Sequence, residues 1–100
     1  MSVDGAAYPL ELVRQLLQRS KWLVTAAALN GALDVGLDEE DIFDCIVNHL
    51  SETHFYKTMP AEKNPALMQD VYRVAYQGER IYLKLQVHRD WAIVVSFKEE

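Results

Sequence analysis

Two runs near the end of the chain alternate between apolar and polar residues, and this alternation constrains the fold more than any other feature. The apolar members of the first run are Ile81, Leu83, Leu85 and Val87. Those of the second run are Trp91, Ile93, Val95 and Phe97. Because successive side chains of a strand point to opposite faces, each run predicts a strand with one buried face.

The spacing between the two runs predicts how they pair. A three-residue turn over 88–90 pairs Val87 with Trp91, Leu85 with Ile93, Leu83 with Val95 and Ile81 with Phe97, so both apolar sets share one face. On the opposite face, the same register places Tyr82 across from Ser96 and Arg80 across from Lys98. Tyr82 and Lys98 are then diagonal neighbours within reach of each other.

Strand-type residues dominate from His54 onward, so the second half of the chain is predicted to form a sheet. Between Met59 and Ala66, two prolines accompany Lys63 and Asn64, and this stretch predicts a mobile loop between two strands.

The first half shows helical spacing instead. Pro9 suits a first helical turn, Thr25 suits the N-cap of a second helix that ends at Gly36, and Asp38 with its following acids suits the start of a third. The short stretch from Lys21 to Val24 permits a strand. We therefore expect one α+β domain over residues 1–100, with two or three N-terminal helices packed on an antiparallel sheet.

Charge is unevenly distributed along the chain. Residues 1–53 contain three basic and nine acidic residues, whereas residues 54–98 contain seven basic and four acidic residues. The acids of the first half cluster at predicted helix starts, where they favour the positive end of the helix dipole. A nucleic-acid surface, if present, should therefore lie on the second half, although the formal net charge is -5.

Several classes of site are not indicated by the sequence. A single cysteine, Cys45, cannot form an internal disulfide, and it is expected to behave as a small apolar residue. His49, His54 and His88 lack the close companions of a zinc site, so neither a metal nor a cofactor is expected. The short apolar stretch at 23–29 and the absence of basic residues in 1–7 indicate no membrane span or signal peptide, so a cytoplasmic location is expected.

The polar face of the predicted sheet carries residues that could cleave a phosphodiester without a metal. Such cleavage needs a base for the ribose 2′-proton, cations for the charged phosphorane, and an acid for the leaving oxygen. The candidates are Lys57, Gln69, Arg73, Arg80, Tyr82, Lys84 and Lys98. An ordinary solvent-exposed sheet face would also be polar, so the pattern alone leaves both interpretations open.

The segments LSETHFYKTM, QDVYR, YLKLQV and IVVSFKEE, in this order and spacing, resemble the MqsR toxins, which are relatives of the RelE-type messenger RNA interferases. The resemblance extends through most of the helical half. It implies a RelE-like fold and a type II toxin that cleaves messenger RNA near GC-containing sequences without the ribosome, neutralised by an MqsA-type antitoxin. Metal-independent attack by the ribose 2′-oxygen, the chemistry expected of the candidate residues, predicts 2′,3′-cyclic phosphate and 5′-hydroxyl products.

The family's active-site residues match Lys57, Gln69, Tyr82 and Lys98. Further RNA contacts are expected from Tyr56, Lys63, Arg73, Arg80 and Lys84. Pro60 and the loop at 62–65 depart from the family pattern, and the acidity is unusual for such a toxin. The competing hypothesis is a non-catalytic module that keeps the toxin fold and binds a protein partner.

Overall fold

The structure, a computed structural model, describes residues 5–100, and within them three α-helices pack on a five-stranded sheet. In chain order the elements are α1 Leu10–Gln18, β1 Trp22–Val24, α2 Ala26–Asp34, α3 Glu39–Asp44, β2 Phe55–Pro60, β3 Met68–Tyr76, β4 Glu79–His88 and β5 Trp91–Glu99. A π-helical turn, Cys45–His49, extends α3, and a 3-10 turn, Glu52–His54, precedes β2. The segment before residue 5, which bore on the expected lack of a signal peptide, lies outside the described residues.

The strand order is β1-β5-β4-β3-β2. The predicted α+β class and the origin of the sheet in the second half are confirmed. The sheet is not wholly antiparallel, because β1 runs parallel to β5. The predicted antiparallel sheet is therefore corrected to a mixed one, in which the short strand from the helical half occupies an edge.

The predicted helix caps are present. The Thr25 hydroxyl accepts a hydrogen bond from the Ala28 amide at 3.0 Å, and α2 is followed by Gly36 with a φ of +79°. Asp38 and Asp41 form a reciprocal capping box, each carboxylate accepting from the other residue's amide at 3.0 Å. Capping accounts for much of the acidic run in the first half of the chain.

The helices cover one face of the sheet and form the core with it. Helix residues Leu17, Ile42 and Ile46 share one buried cluster with Leu83 and Phe97 of the sheet. Cys45 is fully buried there, as predicted. Burial raises the pKa of its thiol to about 12, so the thiol is neutral at physiological pH.

The hairpin between β4 and β5 differs from the prediction. Its loop has two residues, Arg89 and Asp90, with φ values of 50° and 64°. Two consecutive positive φ angles are typical of a type I′ turn, whose twist suits an antiparallel pair. Val87 therefore pairs with Ala92, and the predicted pairing of Val87 with Trp91 is wrong.

A β-bulge then changes the phase of β5. Leu85 pairs with Val94 but Lys84 pairs with Ser96, so Val95 is the extra residue. In the part of β5 that precedes the bulge, the buried residues are Ala92 and Val94. The predicted buried residues Trp91, Ile93 and Val95 are not buried. After the bulge, Phe97 is buried as predicted. The predicted diagonal between Tyr82 and Lys98 is corrected to a direct pair, with Arg80 opposite Glu100 instead of Lys98.

Helix α2 approaches β5 closely at Gly31. A Cβ atom added at Gly31 would lie 2.3 Å from the Phe97 carbonyl oxygen and 2.9 Å from Lys98 Cβ. The presence of a glycine within a helix, which weakens the sequence signal for α2, is therefore explained by packing. No other residue fits here without moving the helix or the strand.

We expect Gly31→Ala to destabilise the protein. Alanine favours a helix by about 1 kcal/mol over glycine, but here its methyl group would overlap backbone, and overpacking of this kind costs about 1–3 kcal/mol. Because the overlap is with a carbonyl that cannot rotate away, we expect a net loss of stability in urea unfolding. Asn30→Ala, at the exposed neighbour, is the control and should not destabilise. A Gly31→Ala variant as stable as the parent would contradict the close packing.

Candidate active site on the open face of the sheet

The face of the sheet opposite the helices is called here the open face. Strand alternation and register place on it all four predicted catalytic residues, Lys57, Gln69, Tyr82 and Lys98. They come from four strands, β2 to β5. The antiparallel pairing of these strands therefore brings together residues that are up to 41 positions apart in sequence. The parallel edge strand β1 does not affect this pairing.

Tyr82 lies in the middle of a cationic row. It pairs directly with Arg73 on β3 and with Lys98 on β5. The Lys98 Nζ atom lies 5.5 Å from the centre of the Tyr82 ring, and the Lys84 Nζ atom lies 5.9 Å from it. Two ammonium groups therefore lie within cation–π range of the phenol ring. Their positive charge attracts an anion to the edge of this ring.

The neighbouring row carries Lys57. Lys57 pairs with Val71, which pairs in turn with Lys84, and Lys84 pairs with Ser96. Val71 is fully buried and forms an apolar floor between the two lysines. Since adjacent strands lie about 4.8 Å apart, the backbones of Lys57 and Lys84 are separated by about 10 Å. Two flexible lysines at this separation can reach one phosphate.

Gln69 is held by a residue that the sequence analysis did not select. Its amide nitrogen donates to the Gln86 side-chain oxygen at 3.0 Å, and Gln86 is only 9% exposed. Buried polar side chains of this kind are costly unless they are paired, so the pair fixes both amides. The alternation of β4 could have identified Gln86 as a site residue, because Gln86 follows Tyr82 and Lys84 on the same face.

The loop between β2 and β3 borders the open face. Residues 61–64 and Leu67 of the loop line a cleft of about 330 Å³ together with Gln69, Lys84, Gln86 and Val95. The Ala61 amide donates to the Leu67 carbonyl at 2.8 Å, which closes the base of the loop. The structure thus brings the predicted RNA contact Lys63 to the same cleft as Gln69 and Lys84.

Tyr56 lies at a second bulge, between Phe55 and Lys57. Half of its surface is exposed, and the Arg73 guanidinium lies 4.6 Å from the centre of its ring. Lys57 Nζ lies 5.4 Å from the same ring. An exposed aromatic ring stacked with a guanidinium offers a platform for a nucleotide base.

The last predicted contact, Arg80, lies farther along β4 and is 78% exposed. The carboxylate of Glu100 forms ion pairs with both Arg73 and Arg80. The sequence alone does not single out Glu100, because its contacts depend on the β4–β5 register. The structure therefore places every predicted site residue on the open face or on the loop beside it.

Two negative findings apply to the described part of the chain. Within residues 5–100, no group of three or more His, Cys, Asp or Glu side chains is placed to hold a metal ion. Over the same residues, none of the helices is both long and apolar enough to cross a membrane.

The fold and site together define a small α+β protein whose free sheet face is a cationic and aromatic surface of the kind that binds nucleic acid. Residues 5–99 match the model of a protein family described as the motility quorum-sensing regulator, toxin of MqsA. The chain is also similar to the mRNA interferase toxin MqsR of Escherichia coli strain K12, at 36% identity over 91 residues, which is 91% of each chain. The chain therefore belongs to the MqsR toxin family, as its motifs indicated.

Proposed function

We propose that this toxin is an endoribonuclease that cleaves messenger RNA at GC-containing sites, independently of metal ions and of the ribosome. The observation that carries the proposal is the direct pairing of Tyr82 with Lys98, with the Nζ atom of Lys84 also 5.9 Å from the centre of the same ring. The mRNA interferase name of the similar toxin supports the same activity. Because the proposed substrate is messenger RNA, we also propose a cytoplasmic location for this protein.

The reaction that suits this face is attack by the ribose 2′-oxygen on the adjacent phosphorus. The 2′-hydroxyl loses its proton to a base, the new bond closes a 2′,3′-cyclic phosphate, and the bond to the 5′-oxygen breaks. That oxygen takes a proton and leaves as a 5′-hydroxyl. Tyr82 and the lysines beside it divide the two proton transfers, since both types of side chain can carry a proton to or from oxygen.

The cations act most strongly in the transition state. The phosphorane carries more negative charge than the phosphodiester, so ammonium groups fixed around it stabilise it more than they stabilise the bound substrate. Lys57, Lys84 and Lys98 supply this charge from three different strands. The Gln69 amide nitrogen donates one N–H to Gln86, and its second N–H can donate to a phosphate oxygen.

The platform of Tyr56 and Arg73 extends the site beyond the reacting phosphate. An exposed tyrosine ring can stack on an unpaired base, which is how sequence-specific proteins commonly hold single-stranded RNA. Lys63 borders the cleft from the loop side. Recognition of the bases beside the scissile bond therefore falls to the β2 bulge and the loop that follows β2.

We expect Tyr82→Phe and Lys98→Ala to lose cleavage of a GC-containing RNA while they keep the fold. Loss of one transition-state contact costs on the order of 3 kcal/mol, or about a hundredfold in rate. His49→Ala and Lys21→Ala, at exposed positions outside the open face, are the controls and should retain activity.

The same assay in excess EDTA tests the chemistry. Cleavage should persist, and the products should carry a cyclic phosphate and a 5′-hydroxyl. Activity that disappears in EDTA and returns with Mg²⁺ would refute the metal-independent mechanism. Full activity in both Tyr82→Phe and Lys98→Ala would refute the site.

We expect Lys63→Gln to weaken RNA binding and to reduce its salt dependence. Each phosphate contact on a single strand contributes about 0.7 to the slope of log affinity against log salt concentration. Arg19→Gln removes one positive charge from the helical half and is the matched control, because it should leave the slope unchanged. Equal effects of the two substitutions would contradict the assignment of RNA to the open face.

The family description also supports a partner, since it names the family's members as toxins of MqsA. We propose that an MqsA-type antitoxin, encoded beside this toxin, binds it and suppresses its activity. Expression of the toxin alone should then slow bacterial growth, and co-expression of the adjacent reading frame should restore it. Unchanged growth in both cultures would favour the competing hypothesis of a non-catalytic interaction module.

A further inference from the structure

An acidic side chain, that of Glu100, lies among the cations of the open face. The Glu100 amide donates to the Arg80 carbonyl at 2.8 Å, which continues the β5–β4 pairing beyond the end of β5. One oxygen of its carboxylate contacts Arg73 Nε, and the other lies 3.6 Å from Arg80 Nε. The Glu100 side chain is 22% exposed, so the two arginines largely shield it from solvent.

The arrangement is that of an anion site. Two guanidinium groups from neighbouring strands converge on two oxygens of one negatively charged group. Guanidinium binds carboxylate and phosphate oxygens by the same charge-assisted hydrogen bonds, so a site that holds one suits the other. Arg73, Arg80 and Glu100 also line a shallow cleft of about 230 Å³, into which a larger anion could enter.

This cleft lies next to the cationic row that contains Tyr82. Arg73 is the direct partner of Tyr82, and Arg80 precedes Tyr82 by two residues on the same face of β4. Two residues along a strand span about 7 Å, which is comparable to one nucleotide step of an extended single strand. An RNA with its scissile phosphate beside Tyr82 therefore brings a neighbouring phosphate to Arg73 and Arg80.

We propose that Arg73 and Arg80 form a subsite for a flanking RNA phosphodiester, and that Glu100 occupies this subsite in the free toxin as an internal substitute for the phosphate. The proposal rests on the proposed ribonuclease function. RNA must displace the Glu100 carboxylate before its phosphate can contact both arginines. Glu100 thus lowers the affinity of the open face for RNA.

The exchange is energetically accessible. Partly exposed ion pairs contribute little to stability, so breaking the Glu100 contacts does not threaten the fold. Loss of the carboxylate removes both the competition for the arginines and its repulsion of the RNA backbone. We expect this loss to tighten RNA binding by about three- to tenfold at low salt.

The test compares Glu100→Gln with Glu99→Gln. Both substitutions remove one negative charge, but strand alternation directs the Glu99 side chain to the other face of β5. The probe is a short GC-containing RNA with 2′-O-methyl groups, which cannot be cleaved, and the measurement is fluorescence anisotropy. We expect Glu100→Gln to bind it about three- to tenfold more tightly than the parent, and Glu99→Gln to bind it like the parent. In an Arg80→Gln background, the gain from Glu100→Gln should largely disappear.

Equal gains from the two glutamate substitutions would show an effect of net charge alone and would overturn the proposal. An unchanged or weaker affinity in Glu100→Gln would overturn it as well. If the parent neither binds nor cleaves RNA, the proposed function fails. A titration with inorganic phosphate then tests separately whether Arg73 and Arg80 form an anion subsite that Glu100 occupies. The Nε–Hε signals of Arg73 and Arg80 should then shift at lower phosphate concentration in Glu100→Gln than in the parent, and identical titrations would refute the subsite.

Discussion

The arrangement of the open face depends on one extra residue in β5. The bulge at Val95 reverses the alternation of the strand, so that Phe97 enters the core and Lys98 lies beside Tyr82. Without the bulge, the phase set by the two-residue turn would direct Lys98 toward the helices and Phe97 toward solvent. The bulge is held from the helical layer, because the Thr25 hydroxyl that caps α2 donates to the Val95 carbonyl at 2.9 Å. A single threonine therefore both caps a helix and holds the bulge that sets the phase of β5.

The helical layer positions the site at a second point. Gly31 of α2 lies against Phe97 and Lys98, which enter the core and the open face, respectively, just after the bulge. Close packing of backbone on backbone leaves the strand little freedom to slide, since protein interiors tolerate neither overlap nor voids. The helices contribute no predicted catalytic residue, yet their contacts with β5 help to hold Lys98, the lysine of this strand, on the open face.

Much of this arrangement could be predicted from the sequence. Capping signals at Thr25 and Asp38 are local, and alternation in β4 places Tyr82 and Lys84 on one face without knowledge of any partner strand. The pairing of β5 could not be predicted in the same way, because it depends on the turn length and on a bulge that no residue pattern marks. The parallel placement of β1 and the ion pairs of Glu100 were missed for a related reason, since both depend on contacts between strands that exist only in the folded sheet.

The position of the acids explains how a protein with a net charge of -5 can present a cationic face. Asp38, Glu39 and Glu40 lie at the start of a helix on the covered side of the sheet, and packed layers are separated by about 10 Å. Charges are largely screened beyond about 8 Å at physiological ionic strength, so these acids contribute little to the potential above Tyr82. The local field of the open face is set by its own side chains, among which lysines and arginines outnumber acids. Glu100 differs from the helix acids because it lies on this face, so close to the cations that salt does not screen its charge from them.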